Sequence, residues 1–460
     1  MAILMENDAY FRALSAAISN ARRSILVLGW QFDPRTRLDP QSAFDDHQAQ
    51  IGHRLRMMIK DNPDLEVQLL IWGSPLLIAA SQSFFPYRAQ RWFSRRLADF
   101  RLDRTRVPGA CHHQKVIVID DKLAFCGGGD VATDRWDSEE HLDHDPRRCL
   151  PGGVICKPRH EVMTMVDGAA ARALGDLVRQ RWLRARGEAL VPVETDLDPW
   201  PEMVTPDLVN VDMAIARTDA EQRGAEIREN EALYLRMIAD AKSLIYLENQ
   251  YFTSSRITDA LVARLKEPDG PEIVLMSTAL SPSWFDGMTM DPARGVLIER
   301  LEAADHHDRF TAWCPLTEEG DAIIVHSKVA IIDDRVIRVG STNLNNRSLG
   351  LDTECDVAVL SDTPESRQAI RRFRHRTLAH FVGVAPDTFA ALELETGSVN
   401  AAIEALGAAR VRNLSAVPPS RLGRAIAAWH LGDPVAPSDA WRPWKRPRAL
   451  GAQGIVEAVS

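Results

Sequence analysis

The hydrophobic pattern of this chain is written twice. In ENDAYFRALSAAISNARRSILVLGWQF, Leu14, Ile18 and Ala21 recur at helical spacing and the apolar run Ile25 to Leu28 follows, which predicts a helix leading into a buried strand. Far downstream, ENEALYLRMIADAKSLIYLENQYF repeats the arrangement with Tyr234, Ile238 and Ala241, then the run Leu244 to Leu247. Two further apolar runs keep their order: Glu66 to Ile71 answers to Glu272 to Met276, and Lys115-Val-Ile-Val-Ile-Asp120 answers to Lys328-Val-Ala-Ile-Ile-Asp333. Offsets of about 210 to 220 residues separate the copies, so one unit has been duplicated.

Strands alternating with helices in both copies predict an α/β fold. The expected architecture is two similar α/β halves related by pseudo-twofold symmetry, each a mixed β-sheet flanked by helices, with the active site at their junction. Residues 1–186 form the first half. Residues 187–210 carry Pro192, Pro199, Pro201 and Pro206 with little periodicity and read as a linker. The second half covers 211–380, and 381–460 reads as a helical or irregular C-terminal extension whose tail contains Trp441, Pro443, Trp444 and Pro447.

With 460 residues, 45% of them hydrophobic, both halves can bury ordinary cores. No run of about 18 apolar residues occurs and the N-terminus lacks a basic, apolar and small-residue succession, so neither a membrane span nor a conventional signal peptide is expected. Six cysteines in a chain of this length suit reduced thiols rather than a disulfide scaffold. The expected setting is the cytoplasm or a membrane periphery, and export by a signal-independent route is compatible with it. A net charge of −9 argues against a surface that coats nucleic acid. An anionic ligand then has to be captured by a local cluster of cations.

Each copy supplies such a cluster. His113, Lys115 and Asp120 in the first half match His326, Lys328 and Asp333 in the second. Residues two apart on a strand share a face, so each histidine projects with its lysine. Ten positions past each aspartate a loop closes, Gly127-Gly128-Gly129-Asp130 in one copy and Gly340-Ser341-Thr342-Asn343 in the other. Its glycines permit close backbone approach, and Ser341 and Asn343 carry donors suited to phosphate oxygens. Asp130 would repel a phosphate. Glu161 and Glu354 open later apolar strands, where each is placed to accept a hydrogen bond from the histidine of its own half.

These paired motifs resemble those of the phospholipase D superfamily, over roughly residues 6 to 380. The segments GGGDVATDRWD, IYLENQYF and VGSTNLNNRSLGLDTE are similar to stretches beside the catalytic motifs of bacterial and eukaryotic phospholipases D, and the Gly-Gly-x-Asp form of the first implies that Asp130 holds a lysine or a backbone turn. The resemblance implies a double displacement without metal or cofactor, in which one histidine attacks phosphorus and the other protonates the departing alcohol and then activates water. By similarity His113 is the nucleophile and His326 the acid and base, with Lys115, Lys328, Asp120 and Asp333 completing the catalytic set. The implied substrate is a phosphatidylcholine-like glycerophospholipid met at a membrane surface by a monomer, with no nucleic acid partner. A cardiolipin synthase-type phosphatidyltransferase and a superfamily nuclease are the enzymatic alternatives, and a non-catalytic phospholipid-binding scaffold is the alternative of another class.

The remaining candidates have ordinary readings. His112 faces away from His113 on an extended chain and is expected to be packed or hydrogen-bonded. His141, His144, Cys149, Cys156 and His160 lack the paired spacing of a structural metal site, so no metal is expected. Phe84, Phe85, Tyr87 and Trp92, with Trp284, Phe285, Met288 and Met290 in the matching region, suit either core packing or an apolar rim that meets a bilayer. Trp30 and Asn249 are read as equivalent positions of the two copies, either lining the pocket or packed in the core.

Overall fold

The computed structural model describes residues 1–40, 47–75, 85–93, 98–104, 107–220, 226–414 and 419–434, with Phe85 described by its backbone alone. Phe84, Trp441, Pro443, Trp444 and Pro447 lie outside the described residues. In the first half the strands are β1 (Ala2–Met5), β2 (Ser24–Gly29), β3 (Glu66–Trp72), β4 (Asp99–Asp103), β5 (Val116–Ile119), β6 (Leu123–Gly127), β7 (Arg159–His160) and β8 (Val162–Asp167). The second half has β9 (Met213–Asp219), β10 (Ile227–Arg228), β11 (Leu244–Asn249), β12 (Glu272–Ser277), β13 (Phe310–Pro315), β14 (Ile324–Val325), β15 (Val329–Ile332), β16 (Val336–Gly340), β17 (Glu354–Leu360) and β18 (Val411–Asn413).

The duplication is explicit in the strand order. One sheet runs β1-β8-β6-β5-β2-β3-β4, and the other contains β9-β17-β16-β15-β11-β12-β13 in corresponding places, extended by β10 and β18 at its edges. The parallel pairs β2–β3 and β3–β4 recur as β11–β12 and β12–β13, and the antiparallel pair β2–β5 recurs as β11–β15. Each sheet is therefore mixed.

Strand periodicity explains how the two sheets share a core. On β2, Leu26 and Leu28 face a cluster that includes Val329 and Ile331 of β15, whereas Ile25 and Val27 face a separate cluster with the helix Glu6–Asn20. On β15, Ala330 and Ile332 turn outward to the helices Glu229–Asp240 and Ser255–Leu265. The shared core also takes in the helices Gly168–Arg186 and Pro364–Val382. Both sheets thus have apolar residues on two faces, which is why their sequences read as continuous apolar runs.

Between the helix ending at Arg186 and β9 the chain has no helix or strand, and it runs back along the first half, where Asp207 accepts from Ile3 N at 2.7 Å. The stretch set apart in the sequence as a C-terminal extension packs into the second half through its described residues. β18 pairs with β13, Asn400 Nδ2 donates to Ile273 O at 3.2 Å, and the helix Arg421–Ala428 lies on the helix Trp284–Ala304.

The two motif aspartates mark where each hairpin turns. Asp120 and Asp121 connect β5 to β6 with φ of 53° and 52°, and Asp333 and Asp334 do the same between β15 and β16 with 54° and 52°. Asp120 accepts from the backbone N–H groups of Arg22, Arg23 and Ser24 at 2.7–2.8 Å. Asp333 accepts from those of Lys242, Ser243 and Leu244, each at 2.8 Å. Each carboxylate therefore fastens the helix-to-strand turn that precedes the central strand. Removing it leaves buried donors unpaired and puts alanine at a left-handed position, so Asp120→Ala is expected to lower stability by roughly 2–4 kcal/mol in urea unfolding. A change under about 0.5 kcal/mol would contradict the bracing role.

Candidate active site

The segments bearing the two histidines come just before β5 and β15, and they pair across the junction rather than within their own sheets. His113 N donates to Thr353 O at 2.9 Å, and His326 N donates to His160 O at 2.8 Å. A short parallel ladder of β14 on β7 leads into the second contact, and the bridge of His112 to Thr353 is its counterpart in the first. Thr353 and His160 are the residues immediately before Glu354 and Glu161, so each docking step brings a carboxylate beside the opposite half's imidazole.

This exchange corrects the expectation that each glutamate serves its own half. His113 Nδ1 bonds to Glu354 Oε2 at 2.9 Å, while His326 Nδ1 bonds to Glu161 Oε2 at 2.5 Å. With Nδ1 committed to a carboxylate, Nε2 of each ring is left for chemistry. Lys115 Nζ and Lys328 Nζ curl back to donate to the carbonyl oxygens of His113 and His326. Gly128 shows how closely the halves meet. A Cβ there would come within 2.5 Å of Glu161 Oε1, 3.1 Å of Lys328 Cδ and 3.2 Å of His326 O.

The loop residues divide their labour differently from the sequence expectation. Ser341 is fully buried and its hydroxyl donates to Glu354 Oε2 at 2.5 Å, so it steadies the partner of His113 instead of offering a free donor. Asn343 is buried and its Oδ1 has no hydrogen-bond partner. Asp130 does both things anticipated for it: Oδ2 lies 3.3 Å from Lys115 Nζ, and Oδ1 accepts from Trp30 N and Gln31 N at 3.0 Å. Asp120 and Asp333 stand apart, seven residues along the chain from their histidines, or roughly 20 Å of extended backbone.

Sheet register also corrects one equivalence. Gly29 pairs with Ile71 as Asn249 pairs with Ser277, and Phe32 bridges Val131 as Phe252 bridges Leu344. Asn249 therefore answers to Gly29, and Trp30 answers to Gln250. Trp30 lies at the site, its ring 6.1 Å from that of His113 and 5.8 Å from Lys115 Nζ. Asn249 is core, with Oδ1 accepting from Tyr251 N and Leu344 N. His112 is buried against Asp103 and Thr353, as an ordinary packed histidine would be.

Several buried cations converge here, and one of them was missed in the sequence. Arg159, two residues before Glu161, is buried with Nε lacking a hydrogen bond. Its only sequence signal is that proximity. Burial, followed by repulsion from Lys328, Arg159, Arg135 and Lys115, holds the His326 imidazole well below its usual range. Burial also brings Lys328 down to about 7 despite the attraction of Glu161, with Lys115 adding repulsion. Glu161 is driven up to about 7 by burial against the pull of Lys328 and Arg159. A bound anion would relieve these strains by restoring protons to the cations.

That gives a sign for pH. Anion binding raises the Lys328 pKa, so above about pH 7 binding must take up a proton. The affinity for sulfate, which does not itself titrate in this range, is expected to fall by up to about tenfold per unit as pH rises from 7 to 9. Titration calorimetry should find this slope in the parent protein and lose it in Lys328→Met. A flat profile in the parent would contradict the electrostatic reading.

Comparison with known proteins agrees with this geometry. Residues 234–377 match the family described as "Cardiolipin synthase, PLD-like domain". Phospholipase D A of Dictyostelium discoideum is 23% identical over 427 residues, which cover 78% of this chain and 32% of that protein. Phospholipase D2 of Bos taurus is 23% identical over 465 residues, covering 78% and 49%. The chain thus spans a third to a half of the length of these relatives. In fold it is similar to the phosphatidylserine synthase of Haemophilus influenzae Rd KW20, with a TM-score of 0.54 and 13% identity over 88% of this chain and 94% of that one. A duplicated mixed sheet, two His-x-Lys segments meeting at its junction and similarity to phospholipases D over most of its length are what this chain shares with the phospholipase D superfamily.

Proposed function

We propose that the protein is a phospholipase D, hydrolysing phosphatidylcholine-like glycerophospholipids to phosphatidic acid and a free head-group alcohol through a phosphohistidine. The observation that carries this reading is the crossed pair of imidazole–carboxylate bonds, which gives two oriented histidines beside a group of buried cations. Nε2 of His113 attacks phosphorus, with Glu354 stabilising the positive charge that develops on the ring. His326, protonated once the phosphodiester anion offsets the surrounding cations, gives its proton to the departing head-group oxygen. It then takes a proton from water, whose oxygen displaces the histidine and releases phosphatidic acid. Lys115, Lys328 and Asn343 stabilise the non-bridging oxygens as charge builds on them.

An apolar rim beside the site suits a bilayer substrate. Trp284 is 78% exposed and Phe285 is 49% exposed, with Met288 also at the surface, whereas Met290 is buried. The loop leading to them leaves the end of β12, where the Thr278 hydroxyl donates to Val325 O, next to His326. No helix among the described residues is long and apolar enough to cross a membrane. Contact through such a rim is how a protein of this kind would reach lipid.

A second reading differs only in the acceptor. The match to a family described by cardiolipin synthase and the fold shared with a phosphatidylserine synthase favour an alcohol in place of water. Mass spectrometry of products from mixed-lipid vesicles separates the two. With ethanol present, phosphatidylethanol is expected beside phosphatidic acid; transfer onto phosphatidylglycerol with negligible phosphatidic acid would favour the second reading. His113→Ala should lose at least about 10³-fold in turnover, and turnover unchanged by that substitution would overturn the role given to His113. Replacing Trp284 and Phe285 together by alanine should weaken vesicle sedimentation about tenfold or more, while unchanged partitioning would remove the rim from the account.

A further inference from the structure

Behind Glu161 lies a second cluster that the reaction does not use. One ligand-type atom each from Glu6, His141, His160 and His380 lies within 4.8 Å of the other three. Glu6, His141 and His160 are at most 1% exposed. The residues come from the start of the first helix, the loop after the Arg135-Trp136-Asp137 segment, β7, and the last turn of the helix Pro364–Val382.

The outer nitrogens fix what the inner ones are. His141 Nδ1 bonds to Asp137 Oδ2 at 2.9 Å, and His160 Nε2 bonds to Glu248 Oε2 at 3.0 Å. Both carboxylates are held in turn, Asp137 by Arg148 at 2.7 Å and Glu248 by the Tyr246 hydroxyl at 2.6 Å. A neutral ring that gives its outer proton to a carboxylate turns its lone pair inward, the arrangement that orients metal-bound imidazoles. His141 Nε2 sits 3.3 Å from Glu6 Oε1 and His380 Nε2 sits 3.8 Å from it, and among the described residues neither nitrogen completes a well-aligned hydrogen bond. His160 Nδ1 is hydrogen-bonded to the same oxygen, so a proton or a metal ion has to lie between the two. Four electron-pair donors pointing at one another in a buried space repel unless positive charge lies among them.

We propose that Glu6, His141, His160 and His380 form a structural zinc site that fastens the two halves together behind the active centre. Three nitrogens and one carboxylate oxygen make a closed four-coordinate set for a borderline cation, with no position left for substrate. A tetrahedron with metal–nitrogen bonds near 2.0–2.1 Å has edges of roughly 3.3 Å, so modest side-chain rotation closes the shell. The site takes His141 and His160 from the segment weighed for metal in the sequence, and adds Glu6 and His380 from far along the chain. His144 is exposed, and neither Cys149 nor Cys156 belongs to the cluster. Its link to the reaction is mechanical. Glu6 N donates to Glu161 O at 2.8 Å, and Glu161 N donates to Glu6 Oε2 at 3.2 Å, so the metal would hold the backbone of the residue that orients His326.

The competing occupant is a pair of protons on the inner nitrogens, and metal analysis distinguishes the two. The full chain, produced with zinc in the medium and desalted into metal-free buffer, is expected to carry about one zinc per chain, and X-ray absorption should show only nitrogen and oxygen neighbours near 2.0 Å. His141→Ala and His380→Ala should each lose the metal. Chelator-treated parent protein should melt several degrees lower and recover on adding Zn2+, and Co2+ in its place should give the visible absorption of a four-coordinate ion. Less than about 0.1 zinc per chain, with no cobalt spectrum and no response of melting to Zn2+, would assign the cluster to protons and overturn the proposal. Sulfur neighbours in the absorption spectrum would overturn it equally, by moving the metal to the cysteines. Because these readouts use the parent protein and need no turnover, they stand apart from the outcome of the lipid assays.

Discussion

The structure turns on two hydrogen bonds that cross its midline. Glu354 holds His113 and Glu161 holds His326, and each bond forms only when the opposite half has docked. The backbone contacts of His113 to Thr353 and of His326 to His160 set the register of that docking. The shared apolar core between the sheets supplies the burial that makes it favourable. The same burial strips water from a group of cations, so one interface builds the geometry and also creates the need for an anion. Neither motif histidine finds its carboxylate within its own half, and the arrangement is therefore a property of the duplicated chain.

The halves have diverged in a way that chemistry explains. In the first, Gly29 has no side chain, and Asp130 reaches across to cap the following turn while pairing with Lys115. In the second, Asn249 at the position of Gly29 accepts from Tyr251 N, the counterpart of Gln31 N, and from Leu344 N, and Asn343, the counterpart of Asp130, has no partner for Oδ1 among the described residues. Similarly, Ser341 donates to Glu354, whereas the equivalent Gly128 gives room to Glu161 and Lys328. Glu161 thus lacks a hydroxyl partner from its loop, and burial keeps its affinity for a proton high. One histidine works against a carboxylate supported by a serine hydroxyl, and the other against a carboxylate hemmed in by cations.

Much of this was legible in the sequence. Apolar runs with matching order revealed the duplication, and their period-two residues mark which face of each strand meets the other half. The setting of His112 followed from alternation along the strand, and the role of Asp130 from the resemblance of its loop. What escaped were relations that spacing along one chain does not encode. Nothing local to Glu161 says that its histidine is His326, and nothing in residues 137 to 160 points to Glu6 or His380. Aligning Trp30 with Asn249 failed by one place because the loops after β2 and β11 differ in side-chain size, and only the sheet register fixes the match. Asp120 and Asp333 belong to the motif for a reason that is visible only when the turns before β2 and β11 are seen to donate to them.

The central claim is that imidazoles from two halves converge on one anion. Its most direct test is a crystal structure of the protein with tungstate, an oxyanion dense enough to be located without ambiguity. The account expects a single tungstate with oxygens about 3 Å from Nε2 of both His113 and His326. Separate anions at the two rings, or one that meets a single histidine while the other faces elsewhere, would contradict it.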